Sequence, residues 1–322
     1  MLISKTPLRI SFAGGLSDLK DYYTNDHGAV TSTSIDKYIY IVINKKFDPD
    51  VQLNYAKTEI VDNISDIEHP IFREALKLVD LNKYVEISVM SDIPARTGLG
   101  SSSSFTVGLL NALYGFVGEH KDAETLAKEA CKIEIDVLKE PIGKQDQYAS
   151  AFGSLNHIIF NSDESVDVKR IKISNDVREE LDNNLLLFYT GLKRDASSIL
   201  SDSKKDMDNH RKYVDKIRSL SKEFYKMLYK NDLSRFGELL HQNWELKKKT
   251  GNVSNAIIDD YYKKALDAGA SGGKILGAGG GGFILLYCEK QFQKKVRKAL
   301  LDLREVYFHM ETYGSRIVHW GD

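Results

Sequence analysis

The chain is expected to be an α+β protein, and three observations carry that expectation. Strand-like segments do not alternate regularly with helical ones, as a doubly wound parallel sheet requires. The character also changes along the chain, which turns mostly helical beyond residue 189. Length and composition agree, because 322 residues, 42% of them hydrophobic, can build a substantial core in one large domain or two of moderate size.

The elements follow in chain order. Pro7-Leu-Arg9-Ile-Ser11-Phe starts strand-like and breaks at Gly14-Gly15, after which Leu16, Ser17 and Asp18 are offered. Alone, this reads as a first strand with a hairpin turn and Arg9 at its edge. Residues 38–43, Tyr-Ile-Tyr-Ile-Val-Ile, are β-branched and aromatic and predict a strand. Val85, Ile87 and Val89 alternate with Glu86 and Ser88, the pattern of a half-buried strand.

Residues 94–104 carry the most information. Pro94, then Gly98-Leu99-Gly100, then Ser101-Ser102-Ser103-Ser104 form a flexible turn running into four hydroxyls, and helical spacing follows from Phe105 to Val117. Glycines let backbone pass close to a bound group, and the free N–H groups of a new helix point at it. Serines add neutral donors, and one hydroxyl can ligate a hard cation such as Mg²⁺. Phosphate suits such a site, although the segment fits equally well an ordinary serine-capped helix.

A second helix is expected over about 122–138, with Leu126, Ala130, Ile133 and Val137 on one face; Glu134 on it can serve as a metal-ligating carboxylate or occupy a solvated position. Gly143-Lys144-Gln145-Asp146-Gln147-Tyr148 is densely polar. A carboxylate there, flanked by Lys144 and facing Arg9, can accept or orient a hydroxyl proton; as an isolated fragment it reads as an exposed loop. Residues 157–160 predict a strand. Residues 161–182 are polar with little periodic signal beyond 168–173, so a domain boundary is set there, dividing 1–175 from 176–322.

Leu185 to Tyr189 is strongly apolar and strand-like. Val214, Ile217, Leu220, Phe224 and Met227 then recur at helical spacing, Asn231-Asp232 breaks the run, and Leu233, Phe236, Leu240 and Trp244 form the next stripe. Lys247-Lys248-Lys249 is expected to be a solvated helix end. A further helix over about 255–268 ends at Gly269. Five of the six residues from Gly277 to Gly282 are glycine, more than a turn needs, which favours close approach of backbone to a ligand. Gly277, Gly279 and Gly282 match the dinucleotide fingerprint in form only. A strand, Phe283 to Tyr287, follows the glycines where that motif requires a helix.

A formal net charge of −1 gives no general pull toward nucleic acid or an anionic membrane. Two cysteines, Cys131 and Cys288, argue against a disulfide framework and fit a reducing compartment. No apolar run approaches the ~20 residues that span a bilayer. A soluble, cytoplasmic protein is expected, acting on a small molecule, as a monomer or homodimer.

Taken together and in order, these segments resemble the GHMP kinases. The family's phosphate motif, Pro-x-x-x-Gly-Leu-Gly-Ser-Ser-(Ala/Ser), is matched by Pro94 to Ser103; its C-terminal glycine motif is matched at Lys274 to Phe283, and its N-terminal substrate motif at Pro7 to Asp18. Within the superfamily the chain most resembles the D-glycero-D-manno-heptose 7-phosphate kinases, sharing residues 7–15, Ile35-Asp-Lys-Tyr38, Gly143 to Tyr148, and Tyr189-Thr-Gly-x-x-Arg194. One departure is Leu16, where that group usually has a third glycine.

The resemblance implies a ribosomal-protein-S5-like N-terminal domain, a ferredoxin-like C-terminal domain and an active site between them. It implies ATP as phosphoryl donor with Mg²⁺, the phosphates cradled by Pro94, Gly98, Leu99, Gly100, Ser101, Ser102 and Ser103, and the metal held by Ser102 and Glu134. Asp146 would serve as base with Arg9 as its partner. Substrate contacts would come from Gly14, Gly15, Ser17, Asp18, Lys144, Lys193, Arg194 and the closing loop Gly279, Gly280 and Gly281. The implied acceptor is a sugar phosphate, with other sugars (galactose, fucose, N-acetylhexosamine) or a silent sugar- and nucleotide-binding sensor as alternatives.

Overall fold

The computed structural model describes residues 1–95, 97–192 and 207–321. Its spine is β2 (Gly28–Lys45), paired along its length with β1 (Leu2–Ala13). The first half of β2 also pairs with β6 (Leu155–Phe160), and the second half with β5 (Val85–Ser91). Beyond β5 lie β3 (Val51–Asn54) and β4 (Thr58–Val61), and β7 (Val166–Arg170) continues from β6. The outer edge of β1 is taken by β12 (Arg316–Trp320). Among the described residues only the β3–β5 pair is parallel.

A second, all-antiparallel sheet runs β11 (Arg304–Glu305), β8 (Leu185–Tyr189), β10 (Phe283–Tyr287), β9 (Gly272–Ile275). Among the described residues, 1–175 thus supply seven of the eight strands of the first sheet. The eighth, β12, comes from the other end of the chain.

The sequence shows only part of β2 because its first half reads Thr31-Ser-Thr-Ser34, yet all four are buried. Three of the hydroxyls are spent internally: Thr31 Oγ1 donates to the Ser221 carbonyl (2.8 Å), Thr33 Oγ1 to that of Ser34 (3.1 Å) and Ser34 Oγ to that of Ala149 (3.0 Å), while Ser32 Oγ is buried without a partner. Buried polar strands of this kind carry no hydrophobic alternation to detect.

The helix α3 (Ser101–Phe116) starts at the serines rather than after them and is buried nearly all round, as a central helix must be. Ser104 Oγ ties it to the Pro7 carbonyl (3.1 Å) and to Ser150 Oγ (2.7 Å) of α5 (Gln145–Phe152). The expected 122–138 helix is α4 (Ala123–Cys131) followed by a wider π-type turn, Lys132–Val137. The 161–182 stretch, whose periodic signal is confined to 168–173, holds β7 and the start of α6 (Asn175–Asn184), capped by Ser174.

The two sheets are joined by α7 (Met207–Tyr229) and α8 (Phe236–Lys247). An aromatic chain crosses the junction. Phe12 of β1 meets Phe224 of α7 (5.9 Å) and Phe236 of α8 (5.0 Å), and Phe236 meets Tyr287 of β10 (5.1 Å). Among the described residues no helix is long and apolar enough to cross a membrane.

Candidate active site

The site is a cleft of about 650 Å³ where the loop after β1, the start of α3, the start of α5, α8 and the glycine loop before β10 converge. Arg9 reaches it because the β1–β2 register slips between Pro7 and Leu8, which re-aims the strand. Its Nε and Nη2 both lie 2.7 Å from Asp146 Oδ1, and Nη1 donates to the Gly98 carbonyl at 2.7 Å. Asp146 sits in the first turn of α5, where the helix dipole favours negative charge. Its Oδ1 is thus fixed by a two-pronged guanidinium contact, while Oδ2 faces Gly100. A methyl at Gly100 would stand 3.2 Å from Oδ2, so glycine keeps that approach open.

The two glycine segments, far apart in sequence, touch. A Cβ on Gly277 (φ +70°) would lie 2.5 Å from Gly98 Cα, and one on Gly98 (φ +88°) 2.6 Å from the Leu276 carbonyl. Only glycines allow both the left-handed backbone and the contact.

Ser102 is exposed to the cleft, and its Oγ donates to Glu134 Oε1 at 3.1 Å. Gln147 Nε2 donates to the other carboxylate oxygen at 2.7 Å. Glu134 is not solvated but 1% exposed, because the π-type turn (Leu138 N–H to the Ile133 carbonyl, 2.9 Å) rotates it inward. Burial lifts its pKa to about 7. A buried carboxylate beside a hydroxyl is a hard-oxygen pair suited to Mg²⁺, whose charge would offset that burial.

Asp18 is buried against Gly143, whose Cβ would fall 2.0 Å from Asp18 Oδ2, and that oxygen accepts the Gln145 N–H at 3.2 Å. Burial, then neighbouring Asp146, raises its pKa to about 6.

Several predicted contacts are placed differently. Lys144 turns away from the cleft: its Nζ reaches the Glu164 carbonyl (3.3 Å) and lies over the Tyr23 ring. Ser17 is fully buried, donating to Gly14 O (2.6 Å) and accepting from Ala29 N–H (3.0 Å), so it braces the loop that presents Gly15, Leu16 and Asp18. Gly14 packs on Ala29 and Val30. Gly279 backs onto Val253 and Gly281 onto Leu192, and Gly280 N–H bonds to the Val253 carbonyl (2.7 Å), leaving Gly277 and Ala278 to line the cleft. Leu99 is core, and Pro94 accepts from Thr97 at the loop's base. Lys193 and Arg194 lie outside the described residues.

Sequence reasoning missed both ends of the cleft. At one, Tyr55, His69, Phe72 and Phe105 form an edge-to-face cluster with centroids 5.1–5.8 Å apart. His69 Nδ1 is buried there without a partner, and burial lowers its pKa, keeping the ring neutral. At the other, Lys247 is buried rather than solvated, and its Nζ donates to the Gly277 carbonyl. Helical arithmetic held that signal: Lys247 falls three residues after Trp244 on the Phe236–Leu240–Trp244 stripe. Lys274 Nζ donates to the carbonyls of Ser11 (2.8 Å) and Phe12 (3.2 Å).

A glycine–serine helix start, a hard-oxygen pair and a carboxylate gripped by arginine define a phosphoryl-transfer site. The sequence comparisons agree. Residues 51–154 match the GHMP kinases N terminal domain and residues 223–303 the GHMP kinases C terminal domain. The chain is 30% identical to the D-glycero-alpha-D-manno-heptose 7-phosphate kinase of Campylobacter jejuni, over 92% of each chain. It is 28% identical to a galactokinase of Pyrococcus furiosus, again over 92% of each. A D-glycero-D-manno-heptose 1-phosphate kinase from Bacteroides thetaiotaomicron has a similar structure (TM-score 0.83, 25% identity, 100% of each chain). The chain belongs to the GHMP kinase family and is a phosphotransferase.

Proposed function

We propose that this kinase transfers the γ-phosphoryl group of ATP to the anomeric O1 of D-glycero-D-manno-heptose 7-phosphate. The product is the 1,7-bisphosphate, an intermediate toward nucleotide-activated heptose for bacterial surface polysaccharide, made in the cytoplasm. The observation that carries the reading is Asp146, held by Arg9 through Oδ1 with Oδ2 open between the phosphate loop and Asp18.

A sugar acceptor is supported by unspent hydrogen-bonding capacity at that end. Ser11 Oγ, Asn243 Oδ1 and Gln145 Oε1 are buried without partners, and each such group costs about 1–3 kcal/mol until a ligand satisfies it. A polyol offers the hydroxyls that would do so. The aromatic cluster around His69 supports adenine binding at the opposite end.

In the reaction Asp146 Oδ2 takes the proton of the acceptor hydroxyl as its oxygen bonds to phosphorus, and the bond to ADP breaks. Arg9 orients Asp146 through Oδ1, and its positive charge faces the moving phosphoryl group. Ser102 and Glu134 would hold Mg²⁺, and ATP with Mg²⁺ supplies the activated phosphoryl group and offsets its charge. An anomeric hydroxyl is more acidic than an ordinary alcohol, so a carboxylate base suffices.

The test is ADP release across a panel: heptose 7-phosphate, heptose 1-phosphate, free heptose, galactose, fucose, N-acetylhexosamines and mevalonate. Heptose 7-phosphate should give the highest kcat/KM. Heptose 1-phosphate, whose O1 is blocked, should be silent, and turnover of it would refute the regiochemistry. Asp146→Asn should lose about 10²–10⁴-fold in kcat with ADP binding intact; near-normal turnover would remove Asp146 as base.

A further inference from the structure

The charged groups of the cleft feel one another. Glu134 feels Asp146, Asp146 in turn raises Asp18, and Asp18 supports the charge of Lys247. Lys247 lines the cleft together with Asp18 and with Ser11, Asn243 and Gln145, whose buried, unpartnered atoms mark the acceptor's end.

Lys247 arrives there on the buried face of α8, one turn after Asn243, whose Oδ1 is buried and unpartnered. Its ammonium meets the neutral Gly277 carbonyl, and among the described residues neither Lys247 nor Lys274 forms an ion pair. The charged groups facing Lys247 are Arg9 of β1, already neutralised by Asp146, Lys274 of β9 and Asp18 of the loop after β1. Two buried lysines thus feel each other, and Asp18 is the carboxylate that faces Lys247. A buried cation without a counter-charge is costly, and an incoming anion removes that cost.

We propose that Lys247 is the clamp for a second anionic group on the acceptor, the phosphate that heptose 7-phosphate carries away from its reacting hydroxyl. Asn243 beside it accepts from a sugar hydroxyl. The inference rests on the heptose-phosphate reading and deepens it, since a free sugar gives Lys247 no partner. Burial, with Arg9 adding repulsion, lowers the Lys247 pKa to about 8. In the free enzyme the clamp is therefore charged below pH 8 and fades above it, so kcat/KM for the phosphosugar should fall as pH rises past 8.

The experiment compares wild type, Lys247→Met and Lys247→Arg on heptose 7-phosphate and on free heptose, with ATP varied separately. Lys247→Met should cut kcat/KM for heptose 7-phosphate on the order of 30-fold or more, through KM. Activity on free heptose and KM for ATP should stay near wild type. Lys247→Arg should keep the phosphosugar preference and lose the alkaline fall, because guanidinium does not titrate there. That second variant decides the matter if the methionine variant fails to fold.

A wild type that prefers heptose 7-phosphate, with equal losses on both sugars or a raised KM for ATP in the variants, overturns the clamp. Lys247 would then be a strut for the glycine loop or a nucleotide ligand, and the heptose-phosphate reading would survive. A wild type with no preference for the phosphorylated sugar fails the reading itself, and the clamp with it.

Discussion

Burying Asp18 beside Asp146 makes the folded chain bind a proton more tightly than the unfolded one, with the pKa raised from an ordinary aspartate value to about 6. Below about pH 4 both states are protonated and nothing is lost. As pH rises through 6 the folded state must ionise the carboxyl in its buried site, so this group's contribution falls with rising pH. Asp18→Asn should therefore stabilise the protein at pH 7.5 by up to roughly 3 kcal/mol, shrinking toward zero near pH 4.5, while raising KM for the acceptor. Urea midpoints at the two pH values check this, and an equal effect at both would refute it. Leu16 is a second strained residue, a non-glycine at φ +75° that is 6% exposed and packs with Leu19, Tyr22 and Val214. Leu16→Ala loses that packing and keeps the left-handed strain, whereas Leu16→Gly loses packing but sheds strain. Glycine should be the more stable of the two by about 1 kcal/mol, the reverse of the usual order, and a thermal melt of both variants decides it.

At the scale of elements, the phosphate loop and the glycine loop act as one surface because Gly98 and Gly277 stack backbone on backbone. Gly277→Ala places a methyl 2.5 Å from Gly98 Cα, so the loops must separate. Affinity for ADP should fall at least tenfold while the melting temperature moves by only a few degrees; unchanged ADP binding by calorimetry would show that the contact does not shape the site. These loops were legible because glycine density and serine runs survive in sequence as composition. The residues alone offered Asp146 opposite Arg9 and a cation-ligating serine only as one alternative each, and the family motif favoured these readings, since nothing local in 143–148 distinguishes a helix start from a polar loop. Lys144 was misjudged because nearness to Asp146 in sequence says little at a helix N-terminus, where Lys144 caps α5 two positions before it and turns to Glu164. Helical counting alone leaves Glu134 solvated, because a π-type turn adds a residue that 3.6-residue counting does not anticipate. Short or polar elements such as β3, β4 and the first half of β2 left no periodic trace.

At the scale of the whole molecule, the cleft depends on two sheets held by one continuous core, and the chain's two ends close the larger sheet. β12 pairs with β1 from Leu2–Trp320 to Lys5–Arg316 and covers an edge that would otherwise present open backbone groups. The connection preceding it is anchored too. Ser315 Oγ receives Asn111 Nδ2–H at 2.9 Å and meets Thr6 Oγ1 at 2.7 Å, and Ser315 N–H bonds to the Ser150 carbonyl at 3.0 Å, tying β12 to α3, β1 and α5. β1 carries Arg9 five residues beyond the paired segment's Ser4, and α5 carries Asp146, so this edge buttresses the strand and helix that hold the catalytic pair. Removing residues 316–322 while keeping Ser315 takes away four cross-strand pairs, each contributing roughly 0.2–1 kcal/mol. The melting temperature should drop on the order of 5 °C, and the bare β1 edge should make the protein prone to association on warming. KM for ATP should change little below the new transition, because no residue of β12 lines the cleft. Light scattering during a thermal ramp, with kinetics at low temperature, separates the two effects; lost activity in a fully folded truncated chain would show that β12 positions the Arg9–Asp146 pair directly.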